Sequence, residues 1–172
     1  MRRQAQQQLS GGLYEDAVDG FTACLQSDPL DVEALRGRAI ARFQMKQWAL
    51  AEVDFRKAKE IDPDDPETWV GLGVSLAIQN RIYPAIDILE GLIARRPDYV
   101  RGYIQLAQLY FRLGTIPKGR SVMEEALHHR PSPAERQLIE STLQDQARQD
   151  KKRFYRPDFE ALNQRPAGST EA

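Results

Sequence analysis

Cysteine is nearly missing: Cys24 is the only one in 172 residues. No disulfide can close within the chain and no thiolate zinc site can form. A reducing compartment is compatible with this, and the cytoplasm is the expected location. Histidine is equally scarce. His128 and His129 are adjacent, and adjacent helical side chains do not share a face, so no metal site is expected. Net charge is small, at -1, which leaves no long-range field to draw in nucleic acid or anionic lipid. No run approaches the ~18 apolar residues of a membrane span. The opening "MRRQAQQQLSGG" has two arginines with no apolar segment behind them, unlike a secretory signal. No phosphate loop, Ser-His-Asp arrangement or dinucleotide fingerprint is visible. Asp62, Asp64 and Asp65 lack the Gly and terminal Glu of a calcium loop and read as turn and capping residues. No catalytic residue and no cofactor are expected, and the chain reads as non-enzymatic.

What the chain does have is a period. Pro29, Pro63, Pro97 and Pro131 follow one another at steps of 34 residues with no insertion or deletion. Ala17, Ala51, Ala85 and Gly119 keep the same step with small residues. Phe21, Phe55, Leu89 and Met123 keep it with large apolar ones, and Cys24, Ala58, Leu92 and Ala126 make a fourth series. By this phase Cys24 is a buried packing residue. Repeats of this length are the mark of stacked supersecondary units.

Apolar spacing within each unit is helical, as in "EALRGRAIARFQM" and "LAEVDFRKAKEI". A turn near Lys46 and Gln47 separates the two runs, so each unit reads as an antiparallel helix pair. The repeated proline ends the second helix, because it cannot continue the hydrogen-bond ladder. Gly12, Lys46, Asn80 and Gly114 share the place between the helices. A left-handed turn there suits Gly, is tolerated by Asn and is costlier for Lys. Pro84 and Pro117 fall early in second helices, where the missing N–H matters little.

The pattern resembles the tetratricopeptide repeat, a 34-residue helix–turn–helix unit with W-x2-L-G-x2-Y, then A-x3-F, then P. Trp69, Leu72, Gly73, Ala85 and Pro97 carry the resemblance best. Tyr103, Leu106, Ala107, Tyr110, Gly114, Ala126 and Pro131 carry it in the next unit, and Leu35, Ala39, Ala51, Phe55, Ala58 and Pro63 in the one before. The first unit supplies Gly12, Tyr14, Ala17, Phe21 and Pro29, with a short, polar first helix. The resemblance implies an all-α fold, a right-handed α-solenoid of antiparallel helix pairs. Units are expected over 1–31 (partial), 32–65, 66–99 and 100–131. After Pro131 the phase is lost. Ser132, Pro133 and Glu135 read as the start of a capping helix over 132–153, with Leu138, Ile139, Thr142 and Leu143 as its stripe. Arg2–Ser10 is either a polar cap or the remnant of a longer array, and the second is favoured.

In this family the first helices line a concave face that takes peptides. Carried over by phase, the lining would be Arg36, Ile40, Phe43 and Gln44 in one unit and Val70, Val74 and Ile78 in the next. Arg101, Ile104, Gln105, Gln108, Phe111 and Arg112 would follow in the last. Val70, Val74 and Ile78 form a stripe spaced by four. On an open face such a stripe suggests a partner; covered by neighbouring helices it would be core. One subfamily grips the carboxylate of chaperone tails with Lys, Asn and Arg. Arg36 and Arg101 could serve such a clamp, but Ile40 and Gly71 stand where asparagines are needed. One unit earlier, Gly37 and Glu67 fail as well. The resemblance therefore implies a groove for an amphipathic helix or an apolar peptide with acidic groups.

The reading is a protein–protein interaction module: an adaptor, scaffold or chaperone-like holder whose protein or peptide partner is unidentified. Two alternatives stay open, a regulatory array cut from a larger enzyme and self-association through the incomplete first unit. The basic residues Arg148, Lys151, Lys152, Arg153 and Arg156 read as a solvated helix end. The tail over 154–172 holds Phe154, Tyr155, Phe159 and Leu162. It would complete the cap, dock on a partner or fold back into the groove.

Overall fold

The computed structural model describes residues 1–154, with side chains through Gln149. The described residues form nine α-helices and no strand. They are α1 (Arg2–Ser10), α2 (Tyr14–Ser27), α3 (Val32–Gln44), α4 (Trp48–Ile61), α5 (Pro66–Ile78), α6 (Ile82–Arg95), α7 (Val100–Arg112), α8 (Ile116–His128) and α9 (Pro133–Phe154). The aromatic tail from Tyr155 onward and the side chains of Lys151, Lys152, Arg153 and Phe154 lie outside the described residues.

Each unit turns in the same way. Gly12, Lys46, Asn80 and Gly114 all have left-handed backbone, with φ of 78°, 62°, 61° and 74°. In every case this residue donates its N–H to the carbonyl three back, and the next residue donates to the carbonyl five back, as in Lys46 to Phe43 and Gln47 to Arg42. That double bond closes the end of the first helix by satisfying carbonyls that have no partner within it. The first two turns between units also share one device. The Asp28 carboxylate accepts from the Leu30 N–H and Asp62 from Asp64, bending the chain by local side-chain bonds. Asp31 then caps α3 by accepting from the Ala34 N–H at 3.0 Å, and Asp65 caps α5 through Glu67. At α9 the Ser132 hydroxyl accepts from the Glu135 N–H while the Glu135 carboxylate accepts from the Ser132 N–H. The two groups thus satisfy each other reciprocally.

The stacking has an inside and an outside. Each first helix touches the first helix of the next unit, α1 on α3, α3 on α5, α5 on α7 and α7 on α9, whereas among the described residues second helices do not touch one another. First helices therefore form the tighter inner layer and second helices the splayed outer one. The large residues of α2 and α4 reach forward into the next unit, whereas Leu89 of α6 lies against Gly73 of its own unit. Phe21 lies over Gly37 and Phe55 over Gly71, where a Cβ would overlap the ring. Glycine is required at these two sites for close approach, in spite of the ~1 kcal/mol it costs a helix. The same forward step of 16 residues relates Met123 to Ile139, both fully buried in one cluster. Through Ile139, α9 takes the place of a fifth first helix and covers α7 and α8.

Trp69, Leu72 and Gly73 are architecture. Trp69 is buried and donates its indole N–H to the Pro63 carbonyl at 2.8 Å, with Lys59 Nζ 4.2 Å from the ring centre. Leu72 is fully buried and Gly73 lies against Leu89. Cys24 is only half-buried, unlike the fully buried Ala58 and Ala126 of its series, and flanks the first core cluster. The stretch expected to be either a polar cap or a remnant is a helix: α1 packs on α2, with Ala5 completely buried. At 9 residues it is shorter than the 13 of α3 and α5. Carboxylates tie helices together within units and between them. Asp54 of α4 accepts from Arg38 and Arg42, and Glu52 from Arg56, Gln79 and Arg81. Burial alone would raise the Glu52 carboxyl, but the hydrogen bonds outweigh it and hold its pKa below the ordinary value. Among the described residues no helix is long and apolar enough to cross a membrane.

The four turns differ in one respect that stability reports. Lys46 carries a Cβ in a backbone region that costs an L-residue about 1–2 kcal/mol, whereas Gly12 and Gly114 carry none. Lys46→Gly is expected to raise the unfolding free energy by about 0.5–1 kcal/mol, after the greater entropy of an unfolded glycine is set against the relief. Urea denaturation measures it, and a loss of stability would contradict the turn assignment.

Candidate binding groove

The inner layer is not filled. Between α1, α3 and α5, with one residue from α7, lies an open groove of about 1090 Å³. Its floor is apolar: Ile40 and Phe43 from α3, Val70 and Val74 from α5, and the two glycines Gly37 and Gly71, with the Phe55 ring beneath. Position follows from helical spacing, since residues three and four apart share a face. Polar side chains from α1 (Gln6, Gln7, Ser10) and Gln44 of α3 complete the lining.

Ionised groups stand at the rim. Arg36 of α3 donates to the Asp65 carboxylate at 2.6 Å, with side chains 30% and 11% exposed. Asp65 also accepts from the Thr68 hydroxyl at 2.6 Å and caps α5. Exactly one period earlier in the sequence, Arg2 of α1 pairs with the cap Asp31 and also with Glu33, each at 3.1 Å. Each arginine thus reaches from one inner helix to the N-terminal cap of the next, where a carboxylate is also favoured by the helix dipole. Farther along, Arg101 of α7 pairs with Glu67 of α5 at 3.0 Å, and the Tyr99 hydroxyl donates to the same carboxylate at 2.5 Å. Burial pushes the Tyr99 phenol well above its usual range, and the Glu67 charge adds to this.

Of the residues expected at the site, the groove brings together Arg36, Ile40, Phe43, Gln44, Val70, Val74 and Arg101. The α5 stripe is graded: Val70 is 3% exposed and forms wall as much as surface, Val74 is half-buried and Ile78 is 40% exposed. Ile78, Gln105, Gln108 and Arg112 lie apart from the groove. They line a smaller cleft of about 200 Å³ between the C-terminal halves of α5 and α7, joined to the groove through Val74. Arg112 has a structural task there: it donates to the Ala77 carbonyl near the end of α5 at 2.8 Å, a favourable place for a cation.

Two expectations are corrected. Ile104 is 3% exposed and belongs to the core formed with Tyr103, Met123 and Ile139, so it offers nothing to a ligand. Phe111 is half-buried with its ring against Gly119 of α8; it fills the space inside its own unit. Phase alone placed both on the inner face; the structure packs Ile104 among residues of α8 and α9 and Phe111 on Gly119 of α8. The groove also contains residues that sequence reasoning passed over: Arg2, Arg3, Gln6, Gln7 and Ser10 of α1, and Glu33 and Glu67. The period could have found them, because Arg2, Gln6 and Ser10 stand one step before Arg36, Ile40 and Gln44. The polarity of α1 hid its role as an inner helix.

Comparison with known proteins adds the following. Residues 2–66 match the family model described as Tetratricopeptide repeat. Sperm-associated antigen 1 of Mus musculus is 31% identical over 87 residues, 51% of this chain and 10% of that protein. The chain therefore spans about a tenth of the length of that curated relative. Among solved structures, MamA gives a TM-score of 0.69 at 22% identity, covering 84% of this chain and 88% of its own. The first TPR of Spaghetti (RPAP3), bound to the HSP90 peptide SRMEEVD, gives 0.62 at 20% identity, covering 66% of this chain and 92% of its own. At these identities the likeness to the solved structures is one of fold.

The rim pairing has a measurable consequence. Asp65→Ala removes the cap of α5 and the partner of Arg36 together. A loss of about 1–2 kcal/mol is expected, with helix content unchanged in native buffer. Chemical denaturation of variant and parent would show it, and equal midpoints would contradict the linking role given to Asp65.

Proposed function

The repeat array belongs to the tetratricopeptide repeat superfamily, and on that premise we propose that the chain is a non-enzymatic protein–protein interaction module holding a partner's peptide or helix in its inner groove. The observation that carries this is the apolar floor of an open groove. Ile40, Phe43 and Val74 are left partly accessible on the inner layer, although a solvent-facing helix surface is normally polar. Apolar surface of this kind, rimmed by polar residues, is characteristic of interaction sites. The similar Spaghetti repeat is bound to a peptide in its solved structure, which supports the same use of the fold here.

The module works by preorganisation. The ion pairs of Arg2, Arg36 and Arg101 fix neighbouring inner helices to one another, so little ordering is left to be done when a ligand arrives. Burial of apolar ligand surface supplies the affinity, at roughly 25 cal/mol per Å² before the costs of association.

The test replaces accessible floor and cleft residues and spares the core. The chain and its Val74→Glu/Ile78→Lys variant are used as baits, after circular dichroism shows equal helix content. The intact chain is expected to retain partners that the variant loses. Identical sets of partners from the two baits would refute the groove assignment.

A further inference from the structure

The distribution of charge around the groove says what kind of segment it takes. Six ionisable side chains line it: four arginines (Arg2, Arg3, Arg36 and Arg101) against two glutamates (Glu33 and Glu67). The chain as a whole is slightly negative, at -1, so the groove departs in sign from its carrier. The carboxylates that balance Arg2 and Arg36, Asp31 and Asp65, are not part of the lining. They are turned to the N-termini of α3 and α5, where backbone N–H groups also hold them, and the positive ends of those helices offset their charge. The guanidinium groups are left at the rim, with Arg2 and Arg101 half-exposed at 52% and 54%. Arg3 is exposed and makes no ion pair among the described residues.

The floor has the opposite character. Gly37, Ile40, Val70, Gly71 and Val74 offer no side-chain donor. A carboxylate placed there would lose its water and gain nothing, which costs several kcal/mol in general. Acidic groups are accommodated at the rim and apolar groups on the floor. This excludes a mode in which a free chain terminus is held at the bottom of the groove. A ligand that satisfies both regions has one apolar face and acidic side chains beside it. In size, the groove matches roughly two turns of an α-helix taken as a cylinder about 11 Å across.

Building on the proposed groove function, we infer that its occupant is an acidic amphipathic helix internal to a partner protein, seated with its apolar face on Ile40, Phe43 and Val74 and its carboxylates toward Arg3 and Arg101. Complementary charge sets orientation and speeds encounter more than it adds affinity. Recognition is then expected to weaken as salt rises, because the rim charges are exposed and screened.

The probe is a library of random peptides displayed within a carrier loop, so that no free terminus is offered. It is selected on the full chain, with counterselection on Val74→Glu/Ile78→Lys. The peptides retained are expected to be rich in Asp and Glu over Lys and Arg, with apolar residues three and four apart. A selected sequence, synthesised as C-terminal acid and as amide, is expected to bind equally in both forms. Arg3→Glu should weaken it about three- to tenfold, and Arg3→Lys should restore most of the loss. Both variants alter an exposed, unpaired side chain, and equal thermal midpoints would verify that they fold. Groove-dependent peptides that are neutral or basic, that need a free carboxyl terminus or that ignore Arg3→Glu would overturn this inference and leave the groove function standing. If no peptide distinguishes the chain from its counterselected variant, the groove function itself fails and this inference with it.

Discussion

The structure depends on one steric constraint: the large side chains of α2 and α4 must find room on the inner helix of the next unit. Phe21 finds it over Gly37 and Phe55 over Gly71. Met123 shares a buried cluster with Ile139 of α9. A ring that fits a glycine fixes the separation and rotation of two units together, because interiors are close-packed and tolerate little adjustment. The fit recurs one period apart at the α2–α3 and α4–α5 junctions, and the stack becomes a solenoid whose units depend on their neighbours.

The groove is a by-product of that fit. Pressing inner helices together while outer helices splay produces a curved layer, and the glycines that admit Phe21 and Phe55 from behind leave the floor low in front. The same two residues, Gly37 and Gly71, thus serve stacking on one side and groove depth on the other. Electrostatics is layered onto this frame. Capping aspartates, placed by the local demands of α3 and α5, recruit Arg2 and Arg36 across the gap between inner helices. The guanidinium groups this draws to the rim give the groove its sign. Caps, ion pairs and proposed recognition are therefore one connected arrangement, not three independent features.

The fold was legible because its determinants are periodic. Four prolines, four turn residues and a series of large apolar residues share one step, and the left-handed turns at Gly12, Lys46, Asn80 and Gly114 appear where that step puts them. The groove was legible where neighbouring units are alike, as at Arg36, Ile40 and Val74. It was not legible at the ends. Ile104 and Phe111 hold inner-face positions by phase, but α8 and α9 cover them, and which helix covers a residue is a long-range property that spacing does not carry. At the other end, the polar composition of α1 concealed an inner helix whose burial rests on a single small residue, Ala5. The roles of Asp31 and Asp65 were half legible. Capping follows from local sequence, whereas their partnership with arginines 29 residues earlier needs the fold.

The central claim is that ligands engage the inner layer formed by α1, α3 and α5. Methyl-selective NMR tests it most directly, with a groove-selected peptide titrated into the labelled chain. The account predicts shift changes at the methyl groups of Ile40 and Val74, with Leu50 and Val53 on the outer helix α4 unmoved, although those two are well exposed. Changes concentrated at Leu50 and Val53 with the inner methyls silent would contradict it.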